Sequence, residues 1–133
     1  GKGRWYKGIR FAWDLGMEQM DLTEKTINLL ENVGYRKKNI QVFVLSNWNI
    51  PLSVCIEKEK LLYRWGVKID DCTWETTKRE MKPMKWELKE LKHFRKLCRK
   101  HNQLINFDGY DPEQELNQDY MKFEEAAIKE SGQ

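Results

Sequence analysis

The chain has only three cysteines in 133 residues, and Cys55, Cys72 and Cys98 are an odd number set far apart. That spacing excludes the disulfide framework of a small secreted domain and leads us to expect free thiols in a reducing, cytoplasmic setting. Histidine is scarcer still, with two residues, and no helix pattern encloses a glutamate between them as a zinc peptidase would need. Cys98 and His101 lie one helical turn apart and His93 precedes them. A metal site needs three or four converging ligands, so a structural role suits these residues better and no metal is expected. A glycine-rich phosphate loop is lacking, as is a Gly-x-Ser-x-Gly elbow, so no complete catalytic motif is present. No apolar run reaches the ~18–20 residues that a membrane-spanning helix requires, and nothing resembles a secretory leader; no membrane partner is expected.

What is present argues for a packed, folded chain. Hydrophobic residues make up 40% and charged residues 34%, and six tryptophans supply large apolar surfaces, a composition unlike that of disordered segments. The length suits one compact domain and is short for a complete barrel. The net charge of +3 conceals a polarity: residues 78–101 hold ten Lys/Arg against three Asp/Glu, whereas residues 108–133 hold eight Asp/Glu against two Lys. Solvated helix faces that partly neutralise each other account for this most simply, and a basic surface for nucleic acid is the sharper alternative.

The organising stretch is Asn39-Ile40-Gln41-Val42-Phe43-Val44-Leu45-Ser46-Asn47-Trp48-Asn49. Its β-branched and aromatic run turning abruptly polar predicts a central strand covered on both faces and ending at an open edge. Ahead of it, Gly8-Ile9-Arg10-Phe11-Ala12-Trp13-Asp14 reads as a first strand. Asp21-Leu22-Thr23-Glu24 has the spacing of a capping box, and Leu22, Thr26, Leu29, Leu30 and Val33 form a stripe expected to lie on the sheet. Gly34 and Gly66 each follow an apolar helix end and are expected to take left-handed backbone angles. A second helix begins around Pro51 and Ser53 and turns Val54, Leu61, Leu62 and Trp65 toward the sheet, before a short third strand over residues 67–70 and an irregular loop over 71–82.

Pro83 opens a further predicted helix striped by Met84, Leu88, Leu91, Phe94, Leu97, Cys98 and His101. A last acidic helix is expected over residues 113–130. The fold class is therefore α/β: a small, open, mainly parallel sheet of about three strands in βαβαβ order with right-handed crossovers, followed by two C-terminal helices. Residues 1–72 form the βαβαβ unit and residues 73–133 a loop and helical extension packed on it. In such sheets ligands bind beyond the carboxyl ends of the strands, which here carry Asp14, then Ser46, Asn47 and Asn49, then Asp70 and Asp71.

The order of these segments, closing with Lys60-Leu61-Leu62-Tyr63-Arg64-Trp65-Gly66-Val67-Lys68-Ile69-Asp70, resembles the later strands of a radical S-adenosylmethionine enzyme. The resemblance covers residues 8–72, with a weaker echo of a post-barrel arginine-rich helix at 92–102. It implies part of a barrel, with Asp14, Ser46, Asn47 and Asn49 at strand ends facing S-adenosylmethionine or substrate. Members hold a four-iron, four-sulfur cluster through a Cys-x-x-x-Cys-x-x-Cys loop, which Cys55, Cys72 and Cys98 do not reproduce. No cofactor is therefore expected in this chain by itself.

The preferred expectation is a fragment or truncated relative of such an enzyme, inactive alone. A nucleic-acid-binding module built on the helix over 83–102 is the second reading, and it requires Lys85, Lys89, Lys92, Lys96, Arg99 and Lys100 to form one uncovered patch. An interaction domain without chemistry is the third. Two unpaired sheet edges, together with Trp5, Tyr6, Trp48 and Trp74, lead us to expect a homo-oligomer, most simply a two-fold dimer.

Overall fold

A computed structural model describes residues 8–46, 50–73 and 86–107. Three strands, β1 (Ile9–Trp13), β2 (Ile40–Ser46) and β3 (Lys68–Thr73), alternate with the helices α1 (Met20–Asn32) and α2 (Leu52–Arg64), and α3 (Leu88–Asn106) follows. The strands pair in chain order, β1-β2-β3, with both pairings parallel. The fold is thus the expected α/β unit with an open three-stranded parallel sheet. Two glycines permit its tight returns: Gly34 (φ 121°) after α1 and Gly66 (φ 81°) after α2 both take backbone angles that side chains disfavour.

Ile27 of α1 and Leu62 of α2 are buried in one core with Trp13, Ile40, Val42, Val44 and Ile69, so both helices lie on the same face of the sheet. The register agrees: Ile9, Phe11 and Trp13 stand beside Ile40, Val42 and Val44, and Ile69 beside Val42. Most of these are fully buried, and Ile27, Leu62, Phe94 and Leu97 from the helices join them in one core. The opposite face carries Arg10, Ala12, Gln41, Phe43, Leu45, Lys68, Asp70 and Cys72. β2 alternates buried with half-buried positions, so the central strand is completely covered on one face only, contrary to the two-sided cover its apolar run suggests.

Helix α1 corrects the expected stripe. Thr23 and Ile27 are its buried residues, with Met20 and, from the expected stripe, Leu30 packed beside them, whereas Leu22, Leu29 and Val33 are 62%, 61% and 50% exposed. Both sets have helical spacing, and the sheet takes the one containing Ile27. The expected capping box also fails, because a 3₁₀ turn (Met17–Gln19) feeds directly into α1 and places Asp21 inside the first helical turn. Gln19 is the residue before the helix; its side chain accepts from the Leu15 amide, and its carbonyl accepts from the Thr23 hydroxyl.

In α2 the buried set is Cys55, Lys58, Glu59, Leu62 and Tyr63; of the expected stripe Leu62 is buried, Leu61 and Trp65 are partly buried and packed against the core, and Val54 is partly buried. β3 runs to Thr73, three residues beyond the strand expected and into the segment read as loop. α3 starts at Leu88 behind a capping box formed by Glu87 and Glu90, which replaces the proline start. It buries Phe94, Leu97, Cys98, His101 and Ile105, while Leu88 is exposed. The expected acidic helix, Pro83 and Met84 lie outside the described residues, as do Trp5, Tyr6, Trp48 and Trp74.

Candidate functional site

At the carboxyl ends of the strands, Asp14 follows β1 and is exposed, while Ser46 closes β2 and is buried. Asn47 and Asn49 lie outside the described residues. What the structure adds beneath these ends is Lys58, a residue the sequence pattern did not single out. Its side chain is fully buried; Nζ donates to the Trp13 carbonyl at 3.0 Å and lies 5.3 Å from the centre of the Trp13 ring. Trp13 is fixed in turn by its indole donating to the Gly16 carbonyl at 2.9 Å and by stacking on Trp65 at 6.1 Å. Burial lowers the Lys58 pKa, and the nearby Cys55, Asp14 and Glu18 oppose that shift. The visible signal was a pair of charged residues, Lys58 and Glu59, at the buried phase of an otherwise apolar helix stripe.

A second buried polar group lies deeper, between α2 and α3. His101 Nδ1 is 2.6 Å from Glu59 Oε2 and Nε2 is 2.8 Å from the Val67 carbonyl, with all the side-chain surface buried. A carbonyl only accepts, so Nε2 carries a hydrogen, and one further proton is held between the imidazole and the carboxylate. Tyr63 meets the ring edge-on at 5.2 Å. This pair ties two helices to the start of β3 and does not open on the strand ends. His101 thus has a structural role, in the company of Glu59 and not of Cys98.

The three thiols are free and stand on three different elements. Cys55 Sγ donates to the Leu45 carbonyl on the helix side of the sheet at 3.5 Å, and burial pushes its pKa up to about 12. Cys98 is buried and raised for the same reason, whereas Cys72 is exposed on the opposite sheet face. Two buried protonated thiols and one on the far side do not converge, so these cysteines do not fit a four-iron, four-sulfur cluster. Among the described residues, no three His, Cys, Asp or Glu side chains gather to hold a metal ion, and no helix is long and apolar enough to cross a membrane.

The basic positions of α3 separate cleanly from its core positions. Lys89, Lys92, Lys96, Arg99 and Lys100 are exposed along the face opposite Phe94, Leu97, Cys98 and His101, and Lys85 lies outside the described residues. Arg95, beside that face, reaches Asp71 of β3 at 3.7 Å. Burial nonetheless raises the Asp71 pKa, with its own backbone amide and Arg95 opposing the shift.

A different basic cluster, which the sequence pattern did not reveal, gathers at the amino ends of the strands. Arg10, Gln41 and Lys68 stand side by side across all three strands on the face that none of the described helices covers. With Lys38 and Asn39 they line an open cleft of about 610 Å³. These cations come from segments 58 residues apart in the chain, so only strand register assembles them. Comparisons with protein-family models, with curated proteins and with solved structures return no match.

Proposed function

We propose that the chain is a sector of a barrel-type α/β enzyme related to the radical S-adenosylmethionine family, inactive by itself and working in the cytoplasm. The observation that carries this reading is the strand order β1-β2-β3, with α1 and α2 sharing one core on one face of the sheet. A doubly wound sheet reverses direction at a switch point and places helices on both faces, whereas successive addition with one-sided helices is how a closed barrel is built. The helix-free face would then be a sector of barrel interior, with Asp14, Ser46, Asn47 and Asn49 at the end where barrel enzymes bind cofactor or substrate. S-adenosylmethionine and the cluster belong to the rest of such an enzyme, since Cys55, Cys72 and Cys98 do not converge. Mapping the native transcript tests the reading: an open frame continuing upstream through a Cys-x-x-x-Cys-x-x-Cys loop is expected, and a complete frame without that loop overturns it. An unpaired outer edge on β1, among the described residues, supports self-association of the isolated chain as a dimer.

The second reading is a nucleic-acid-binding module centred on α3, favoured by the shared exposure of Lys89, Lys92, Lys96, Arg99 and Lys100. Titration with a labelled duplex distinguishes it. Binding that weakens steeply with salt, and is lost in a Lys92→Gln/Lys96→Gln/Arg99→Gln variant, would place the interface on this helix.

A further inference from the structure

The amino-end cleft differs from the α3 face in that an aromatic ring, Phe43, stands beside its charges, just outside the cleft lining. Arg10 and Lys68 flank Gln41 in one lateral row, and Phe43 stands in the next row on the same face. The Arg10 guanidinium carbon lies over the Phe43 ring, 5.8 Å from its centre. Lys38, from the 3₁₀ turn Lys37–Asn39, brings a third cation to the cleft. Among the described residues, Arg10, Lys38 and Lys68 form no ion pair and no carboxylate lines the cleft. Asp70, one row further along β3, is the sole carboxylate on the helix-free face of the three strands.

We infer that this cleft binds single-stranded nucleic acid, with backbone phosphates on Arg10, Lys38 and Lys68 and a base stacked against Phe43 and the Arg10 guanidinium. Cations in a groove supply the phosphate attraction, and a half-buried aromatic side chain supplies a stacking surface that a stiff duplex, with its bases turned inward, does not reach. Gln41, between the two cations, is placed to hydrogen-bond a phosphate oxygen or a base edge. The inference concerns the chain by itself and competes with the barrel reading, in which this face would be closed inside the barrel; its test needs only the chain as it is.

Anisotropy of a short labelled oligouridylate, measured over a series of salt concentrations, provides the test. Three phosphate contacts predict a log–log salt slope of about −2, and removing two of them lowers it to about −0.7. Arg10→Gln/Lys68→Gln is therefore expected to weaken binding at least tenfold and flatten the slope, while the triple α3 variant leaves both unchanged. Phe43→Leu is expected to weaken oligouridylate binding about fivefold or more with the slope retained, since stacking is lost and no charge is removed. Circular dichroism of each variant establishes that it folds, and Arg10→Gln/Lys68→Gln, which alters partly exposed positions only, keeps the test decisive should Phe43→Leu unfold. No binding at low salt overturns the inference. So does binding abolished only by the α3 variant, or inorganic polyphosphate binding as tightly as the oligonucleotide with no effect of Phe43→Leu.

Discussion

The side-chain amide of Asn102 closes two hydrogen bonds on the backbone of Ile69: Oδ1 accepts from the amide at 2.9 Å and Nδ2 donates to the carbonyl at 2.8 Å. Ile69 lies in β3, the last strand of the sheet, and Asn102 therefore acts as a one-residue fragment of a fourth strand supplied by a helix. The expectation that this edge would be bare fails at its centre, for that reason. Replacing Asn102 by Ala leaves an amide and a carbonyl without these partners and is expected to cost about 2 kcal/mol, read from the urea midpoint. A change no larger than that of an exposed alanine substitution would show that water replaces the side chain at no cost.

The pair formed by Glu59 and His101 predicts an ordering of variants. Glu59→Ala removes one partner of a buried pair and is expected to destabilise by about 3 kcal/mol or more. Glu59→Gln is expected to cost less, because its amide can donate to Nδ1 while Nε2 still donates to Val67. Equal losses in chemical denaturation would mean that the charge of Glu59, and not its hydrogen bond, holds the helices together.

Burial of Lys58 makes stability depend on pH in a defined direction. Its folded pKa lies below the ordinary 10.5, so between the two values the unfolded chain holds the extra proton and stability rises with pH. Below the folded value the full cost of the buried charge is present. Urea midpoints at neutral and at alkaline pH should therefore differ less in Lys58→Met than in the parent chain. An identical pH response in the two proteins would contradict a depressed value.

Thiol accessibility should divide the cysteines. Cys72 is exposed, while Cys55 and Cys98 are buried with raised pKa values that suppress the reactive thiolate. A chromogenic disulfide reagent is expected to titrate Cys72 promptly in the native chain and the other two only after denaturant is added. Prompt reaction in Cys72→Ser would show that α2 or α3 opens readily.

The two apolar faces of α1 should respond differently to truncation. Ile27→Ala removes a core side chain and is expected to cost about 3 kcal/mol, whereas Leu29→Ala, at a position 61% exposed, should fall within about 0.5 kcal/mol. Denaturation midpoints for the two variants decide which face meets the sheet, and a reversed order would restore the stripe read from the sequence.

The strands and their order were legible because β-branched runs ending in polar residues, helical segments between them and a glycine at each helix end are local signals. Gly34 and Gly66 satisfy their turns through their own backbone freedom, whatever the rest of the chain does. The stripe on α1 misled in part because Leu30, which does meet the core, shares helical spacing both with Leu22, Leu29 and Val33 and with Met20 and Ile27, and period alone does not select between the two sets. The capping box at Asp21 likewise competed with a 3₁₀ entry that begins at Met17.

Local pattern and composition by themselves determined an α/β chain with parallel strands, a return through each glycine and a basic helix with one apolar face. Tertiary structure decided which apolar face is buried and which polar residues meet. Glu59 finds His101 across 42 residues, Asn102 finds Ile69 across 33, and Lys58 finds the Trp13 carbonyl across 45. Arg10 and Lys68 become neighbours across Gln41 only through strand register. Such pairings satisfy hydrogen bonds or gather charge between distant segments, and a one-dimensional period carries no record of them because it reports only which residues of one element share a side.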